Sequence, residues 1–293
     1  MKLGKNATPP LFALPALLIA YSAGDAHDGA MVRPQAVHAP AIGGACVCHG
    51  ELSVWPVSPS AQAKSLVVSA ALIRPLLDLA AARMLDAQHS VPAWSQSAQL
   101  DYVPLARADR WIEEACLTLR DPTLGLSALA RVERGAADVV ELAAERAATL
   151  MDALLVLTRF MTAVNEAAVL HLYVQDGSAI LVIGSEIYLT HALREYLLGV
   201  VALTAARWLG PDAGLEVWFA RPRPSHTSAY RHAFGESALA FHAACDALVL
   251  PAASLWVEMP NADRRLHTFL VNAAQRLALR SARLSLSTHY AAR

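Results

Sequence analysis

The dipeptide Asp176-Gly177 constrains this chain more than any other feature. It separates two runs rich in β-branched and aromatic residues, Val169-Leu170-His171-Leu172-Tyr173-Val174-Gln175 and Ser178-Ala179-Ile180-Leu181-Val182-Ile183. Asp-Gly accepts the positive φ angles of a type I′ turn, so the two runs are expected to close as a hairpin in a single register. That register pairs Val174 with Ala179, Leu172 with Leu181 and Leu170 with Ile183 on one apolar face. His171, Tyr173, Gln175, Ser178, Ile180 and Val182 share the other face, a mixed surface that suits either solvent or the wall of a pocket.

An apolar sheet face must be covered, and the flanking sequence offers helices to cover it. Leu72, Ile73, Leu76, Leu77 and Leu79 predict a helix from about Ser69 to Leu85, with Pro75 in its first turn. A polar loop from Asp86 to Leu100 separates it from a second helix after Pro104, carrying Trp111, Ile112, Ala115 and Leu119. Asp121-Pro122 reads as a helix start, with the carboxylate as cap and proline at the first helical position. Leu124, Leu126, Leu129 and Val132 follow it. From Asp138 to Met161, apolar residues recur at three- and four-residue steps and predict one long, central, amphipathic helix. After the hairpin, Leu193, Leu197, Val200, Thr204 and Trp208 form a stripe that stops at Gly210-Pro211.

A second β-rich stretch runs from Leu215 to His267. Leu215, Val217 and Phe219 alternate with Glu216 and Trp218, and the strand breaks at Arg221-Pro222-Arg223-Pro224. A short helix closing on Gly235, two more apolar strand-like runs and a last helix follow. Asn261 is the expected cap of that helix, and Leu266, Phe269, Leu270 and Leu277 its buried face. The expected architecture is therefore α+β: a helical N-terminal part packed with a small, mostly antiparallel sheet and covering helices.

Residues 1–65 form a proline- and alanine-rich leader with no sustained period, expected to be disordered. The folded domain is expected over 66–280, and 281–293 read as a short tail. The run Leu11 to Ala23 has the outline of a secretory signal, but Pro9, Pro10 and Pro15 interrupt it and it is too short to span a bilayer. No later run is long and uncharged enough for a membrane helix. Four scattered cysteines argue against a disulfide framework and for reduced thiols in the cytoplasm. Cys46-Val47-Cys48-His49 has no common zinc spacing and no second pair nearby, so no metal is expected. With a formal net charge of −1, the chain has no electrostatic footprint for nucleic acid.

Signatures of catalysis are lacking: there is no G-x-S-x-G elbow, H-E-x-x-H helix, Walker loop or G-x-G-x-x-G. No enzyme and no cofactor are expected. Of the eleven histidines, His171 stands out, because the hairpin sets it beside Tyr173 on the mixed face. It is either a satisfied structural histidine or a ligand contact. Arg194, Glu195, Arg221 and Arg223 also read in two ways, as solvated surface charge or as a site where an arginine fork meets a carboxylate-bearing ligand.

Several pieces, in order, carry a family resemblance. They are Leu72-Ile73-Arg74-Pro75-Leu76-Leu77, Asp121-Pro122-Thr123-Leu124-Gly125-Leu126, the hairpin, and Arg194-Glu195. Then come Val217-x-Phe219 before Pro222 and Pro224, Tyr230-Arg231, Phe234-Gly235, Ala247-Leu248-Val249-Leu250-Pro251, Met259-Pro260 and Ala262-Asp263-x-x-Leu266-His267. From Ser69 to about Leu279 the chain resembles the N-terminal arabinose-binding-type sensor domain of AraC-type transcriptional regulators. The resemblance implies a cytoplasmic domain that senses a small-molecule effector and signals to a DNA-binding half with two helix-turn-helix units. That half is expected to be missing here, so no direct DNA contact by this chain is expected. An alternative is a stand-alone ligand-binding or dimerisation module, acting as a homodimer or as a mixed dimer with a full-length regulator. The effector is expected between the mixed face of the hairpin and neighbouring helices, with His171, Tyr173 and Arg194 as contacts.

Overall fold

The computed structural model describes residues 66–89, 101–210 and 213–291, with side chains described as far as residue 279. All of them belong to one compact unit, Val57–Arg293. A two-stranded antiparallel sheet, β1 (Val67–Ser69) with β2 (Tyr102–Pro104), brackets the first helix, α1 (Ala70–Asp86). The helices α2 (Leu105–Leu119), α3 (Leu124–Ala128), α4 (Asp138–Glu145) and α5 (Leu150–Phe160) come next. The hairpin β3 (Ala168–Gln175) and β4 (Ser178–Ser185) then leads into α6 (His191–Leu209). The chain continues through β5 (Glu216–Phe219), α7 (Ser228–Phe234), β6 (Ala238–Phe241), β7 (Ala247–Pro251) and α8 (Arg264–Ala291). This is an α+β fold.

The hairpin has the expected register: Val174 faces Ala179, Leu172 faces Leu181 and Leu170 faces Ile183. Asp176 (φ 50°) and Gly177 (φ 77°) both take the positive φ of the type I′ turn. The hairpin joins a five-stranded sheet in the order β3-β4-β7-β5-β6. All its neighbours are antiparallel except β5 and β6, which run parallel. A parallel pair needs a crossover connection, and α7 is that crossover. It lands on the apolar face of the sheet, where the Phe219 ring meets Tyr230 edge-on at 5.2 Å and Phe234 at 5.6 Å.

The core lies between this face and α6. Ala179, Leu181, Val217 and Leu248 are fully buried there. Each leucine of that set contributes about 1.5–3 kcal/mol by leaving water. Helix α6 is buried almost all round, with Leu193, Tyr196, Leu198, Val200, Ala205 and Trp208 inside. It packs against α2, α3, α7 and β7, and Tyr196 donates to the Leu72 carbonyl of α1 at 2.7 Å. A helix buried on nearly every side belongs at the centre.

Several sequence expectations need correction. The long helix over 138–161 is two helices, because Thr149 and Asp152 form a capping box that starts α5 afresh. The central role passes to α6. Pro75 is not in the first turn but inside α1, whose buried stripe holds the helix continuous across the missing hydrogen bond. Asp121 does not cap α3 directly. Its Oδ1 instead accepts from the backbone and hydroxyl of Thr123, the residue before the helix. Asn261 donates to Glu145, and Asp263 caps α8 by accepting from the amides of Arg265 and Leu266. That start sets the rotation of α8. His267 bonds the Ala143 carbonyl at 2.8 Å and Ala274 is buried, so Leu266 (38% exposed) and Phe269 (62%) face outward. The segment read as a tail continues α8 as far as Ala291. Val174, at the hairpin tip, is exposed rather than part of the buried face. The leader and Cys46 to His49 lie outside the described residues.

Candidate functional site

Successive residues of a strand point to opposite faces, so the sheet register fixes which side chains share the surface opposite the core. One row crosses all five strands: His171, Val182, Ala247, Trp218, Ala240. The next row is Tyr173, Ile180, Val249, Glu216, Ala238. His171 and Tyr173 therefore stand together on the outer face of edge strand β3, with ring centroids 6.2 Å apart. Both are exposed, while Ala247 and Val249 at the centre of the rows are buried. Small and branched side chains thus lie between an aromatic pair at one edge and Trp218 further across. The Trp218 indole N–H is buried and meets no acceptor among the described residues, an arrangement that proteins usually avoid. Burial, and next the nearby Cys245, raise the pKa of the Tyr173 hydroxyl. Cys245 is itself raised by burial and then by Asp246, which keeps it a thiol.

Arg194 is engaged elsewhere. Its guanidinium grips Asp246 through Nε at 3.0 Å and through Nη2. Asp246 in turn accepts from the Ala220 amide at 2.8 Å through its other carboxylate oxygen. Its backbone carbonyl accepts from Ile183 at 2.9 Å. The pair thus ties α6 to the ends of β4, β5 and β7 at once. His171 and Tyr173 are brought together; Arg194 acts on the sheet's supports.

The adjacent residue faces a different way, because one helical step rotates the side chain by about 100°. Glu195 is 4% exposed. Its Oε1 accepts from Arg221 Nη1 at 2.6 Å and from the Tyr230 hydroxyl at 2.6 Å. Arg221 also reaches the Tyr230 oxygen at 3.0 Å. Burial alone would lower the pKa of Arg221, but its hydrogen bond and charge pairing with Glu195 outweigh burial and raise it. Burial first and then Glu195 push the Tyr230 hydroxyl above its usual range. Glu195 Oε2 and Arg221 Nε are buried without partners among the described residues. For Glu195 and Arg221 the solvated reading is therefore overturned. They form a buried hub that joins α6, the end of β5 and α7. His191, at the exposed start of α6, has its pKa lowered by burial and then by Arg221.

Arg223, two residues beyond Arg221, is exposed and lines a cleft together with Arg231 of α7. Sequence reasoning singled out Arg221 and Glu195 without pairing them, and it missed Asp246 as the partner of Arg194. The Tyr230-Arg231 dipeptide was visible only as part of a family pattern. Among the described residues, no group of three or more His, Cys, Asp or Glu is placed to hold a metal.

The family model for the arabinose-binding domain of AraC transcription regulators, N-terminal, matches residues 79–259. The chain belongs to this family. The matched segment runs from within α1 to the loop before α8, and so contains the hairpin, the hub and the cleft. A domain of the arabinose-binding family is a regulatory part of a transcription regulator rather than an enzyme class. Among solved structures, the chain is similar to the crystal structure of transcriptional regulator CdpR from Pseudomonas aeruginosa. The identity is 18%, with 73% of this chain and 70% of that chain covered, at a TM-score of 0.47. A comparison with curated proteins gives no match. Among the described residues, no helix is long and apolar enough to cross a membrane.

Proposed function

We propose that this arabinose-binding-family domain is a cytoplasmic sensor that binds a small-molecule effector on the outer face of its sheet and passes the bound state to a DNA-reading partner. The observation that carries the site is the exposed His171–Tyr173 pair, set beside half-buried Ile180 and Val182 on a face that also holds Trp218. Aromatic walls with a few polar groups are what a small, partly apolar ligand needs. In this reading His171 and Tyr173 touch the effector. Arg194 contributes by holding Asp246 and, through it, the strand ends that shape the face.

An effector changes output only by favouring one of two arrangements of the domain. The elements able to report its presence are β4, β5 and β7, which meet α6 through Asp246 and Arg194. A panel of sugars, amino acids and organic acids, screened by thermal shift, should yield an effector. Its affinity should then fall about tenfold, or about 1.4 kcal/mol, in His171→Ala and Tyr173→Ala. Unchanged affinity in both variants would place the effector elsewhere. A second reading, association with another copy or with a full-length regulator, is favoured by Leu266 and Phe269, exposed one turn apart on α8. Sedimentation of the purified chain, alone and mixed with such a regulator, separates the two readings.

A further inference from the structure

The cleft beside α7 is a different place from the outer sheet face, and its chemistry is distinct. It is an open cleft of about 490 Å³ between α7 and edge strand β6, within the size range of small-molecule sites. Arg223, from the loop after β5, and Arg231, from α7, line it together with Thr227, Ser237 and the rings and chains of Phe241 and Leu239. Glu236 is the single acidic group among the lining residues, so the lining carries a net positive charge.

The two arginines differ from those that brace α6 and the sheet. Arg194 is held by Asp246, Arg207 by Glu141 and the Val132 carbonyl, and Arg221 by Glu195 and Tyr230. Arg223 and Arg231 make no ion pair and no side-chain hydrogen bond among the described residues. Each guanidinium is a planar fork of donors that matches a carboxylate, and two of them line this one cleft. The Thr227 and Ser237 hydroxyls add donors that suit the same anion.

The apolar part of the lining is also built. Phe241 stacks on Phe219 at 5.1 Å with 17° between the planes and meets Tyr230 edge-on at 5.2 Å. This cluster fixes the Phe241 ring, which is half-buried at the cleft and able to pack on an apolar body. Helix α7 connects the cleft to the hub: Arg231 lines the cleft, while its neighbour Tyr230 donates to Glu195. An occupant that draws Arg231 toward itself acts on the helix that carries the hub's tyrosine.

We propose that the cleft between α7 and β6 binds a small carboxylate with an apolar or aromatic body, its carboxylate held by Arg223 and Arg231 and its body on Phe241. The test uses the full chain and sodium benzoate, followed by isothermal titration and amide NMR, with benzamide and inorganic phosphate as comparison probes. Benzoate should bind saturably below about 20 mM, and the double variant Arg223→Gln/Arg231→Gln should weaken it at least tenfold. Both arginines are exposed, so the variant should melt as the wild type does. Arg110→Gln, an exposed change on α2, and Tyr173→Ala, on the hairpin, should leave benzoate binding unchanged.

Benzamide should not bind, since it lacks the charge. Phosphate should bind more weakly than benzoate and, unlike benzoate, be indifferent to Phe241→Leu. Absence of saturable benzoate binding would overturn the proposal, as would equal binding of benzamide or affinity unchanged in the double arginine variant. Loss of binding in Tyr173→Ala with none in the arginine variants would move the site to the hairpin and also overturn it. The hairpin reading survives failure here, because its own variants, His171→Ala and Tyr173→Ala, report on it separately.

Discussion

Glu195 is the residue whose removal the structure makes most costly. Its Oε1 takes hydrogen bonds from Arg221 and from Tyr230, both at 2.6 Å, and the side chain is sealed from water between α6, β5 and α7. Replacing it with leucine strands a guanidinium whose side chain is 23% exposed and leaves the Tyr230 hydroxyl with less to bond. Breaking one side of a buried pair costs about 3–5 kcal/mol. For a domain of this size each kcal/mol lowers Tm by about 2–4 °C, so Glu195→Leu should melt roughly 10 °C lower. Arg221→Met should cost a similar amount, because it leaves the carboxylate buried without its counter-ion.

The informative measurement is the double-mutant cycle. Replacing both ends of a buried pair with apolar groups is often nearly neutral. Glu195→Leu/Arg221→Met, built in a Tyr230→Phe background so that no hydroxyl is orphaned, should therefore be no less stable than either single change. The coupling energy from urea melts at constant m should be at least about 2 kcal/mol. Additive costs, within about 0.5 kcal/mol, would show that the pair contributes nothing as a unit and would refute the hub as a joint between α6 and α7.

Two further predictions concern close packing and protonation. A Cβ at Gly125 would lie 2.0 Å from the Ala192 carbonyl oxygen, whereas one at Gly199 would meet the movable Cδ1 of Leu129 at 2.3 Å. Gly125→Ala should thus cost more than about 3 kcal/mol and Gly199→Ala only about 1–2, by urea melts; equal costs would contradict the tight backbone approach of α3 to α6. His191 should titrate below the ordinary 6.5, since burial and then Arg221 disfavour its charged form. Its contribution to stability is present above 6.5 and is lost as pH falls through the lowered value. In Arg221→Gln the imidazole midpoint, read by NMR, should rise; no change would remove Arg221 as a cause.

The fold was legible where local rules act over a few residues. Asp176-Gly177 dictates φ at two positions, so the whole β3–β4 register followed from a dipeptide. Alternation placed Val217 and Phe219 on the core side of β5 and Trp218 on the other. What misled was periodicity read without caps. Apolar residues recur across the α4–α5 break, and the Thr149–Asp152 reciprocal bond, with the bridge of Thr149 to Glu258, divides the run. The same fault rotated α8, since a pattern containing Leu266, Phe269 and Leu270 does not say which side meets α4. Asp263 and the His267 bond to Ala143 decide that.

The candidate site was less legible for a physical reason. A charge in a sequence reads as solvated unless its partner is known, and partners here come from distant segments. Glu195 meets Arg221 and Tyr230 only because the β5–α7–β6 crossover folds α7 back over the face that α6 covers. Arg194 meets Asp246 only because β7 inserts between β4 and β5 and so brings the turn before β7 to α6. Both ion pairs are consequences of strand order, which no local pattern encodes. The residues on the solvent side escaped this difficulty. His171 and Tyr173 could be placed together from the hairpin alone, whereas Arg221 and Arg223 read alike in the sequence and only the fold separates them. One arginine turns inward to a carboxylate of its own chain, and the other lines a cleft where Glu236 is the one acidic group among the described lining residues. The same Arg-Pro-Arg-Pro loop thus supplies a structural cation and a cleft-lining one within three residues.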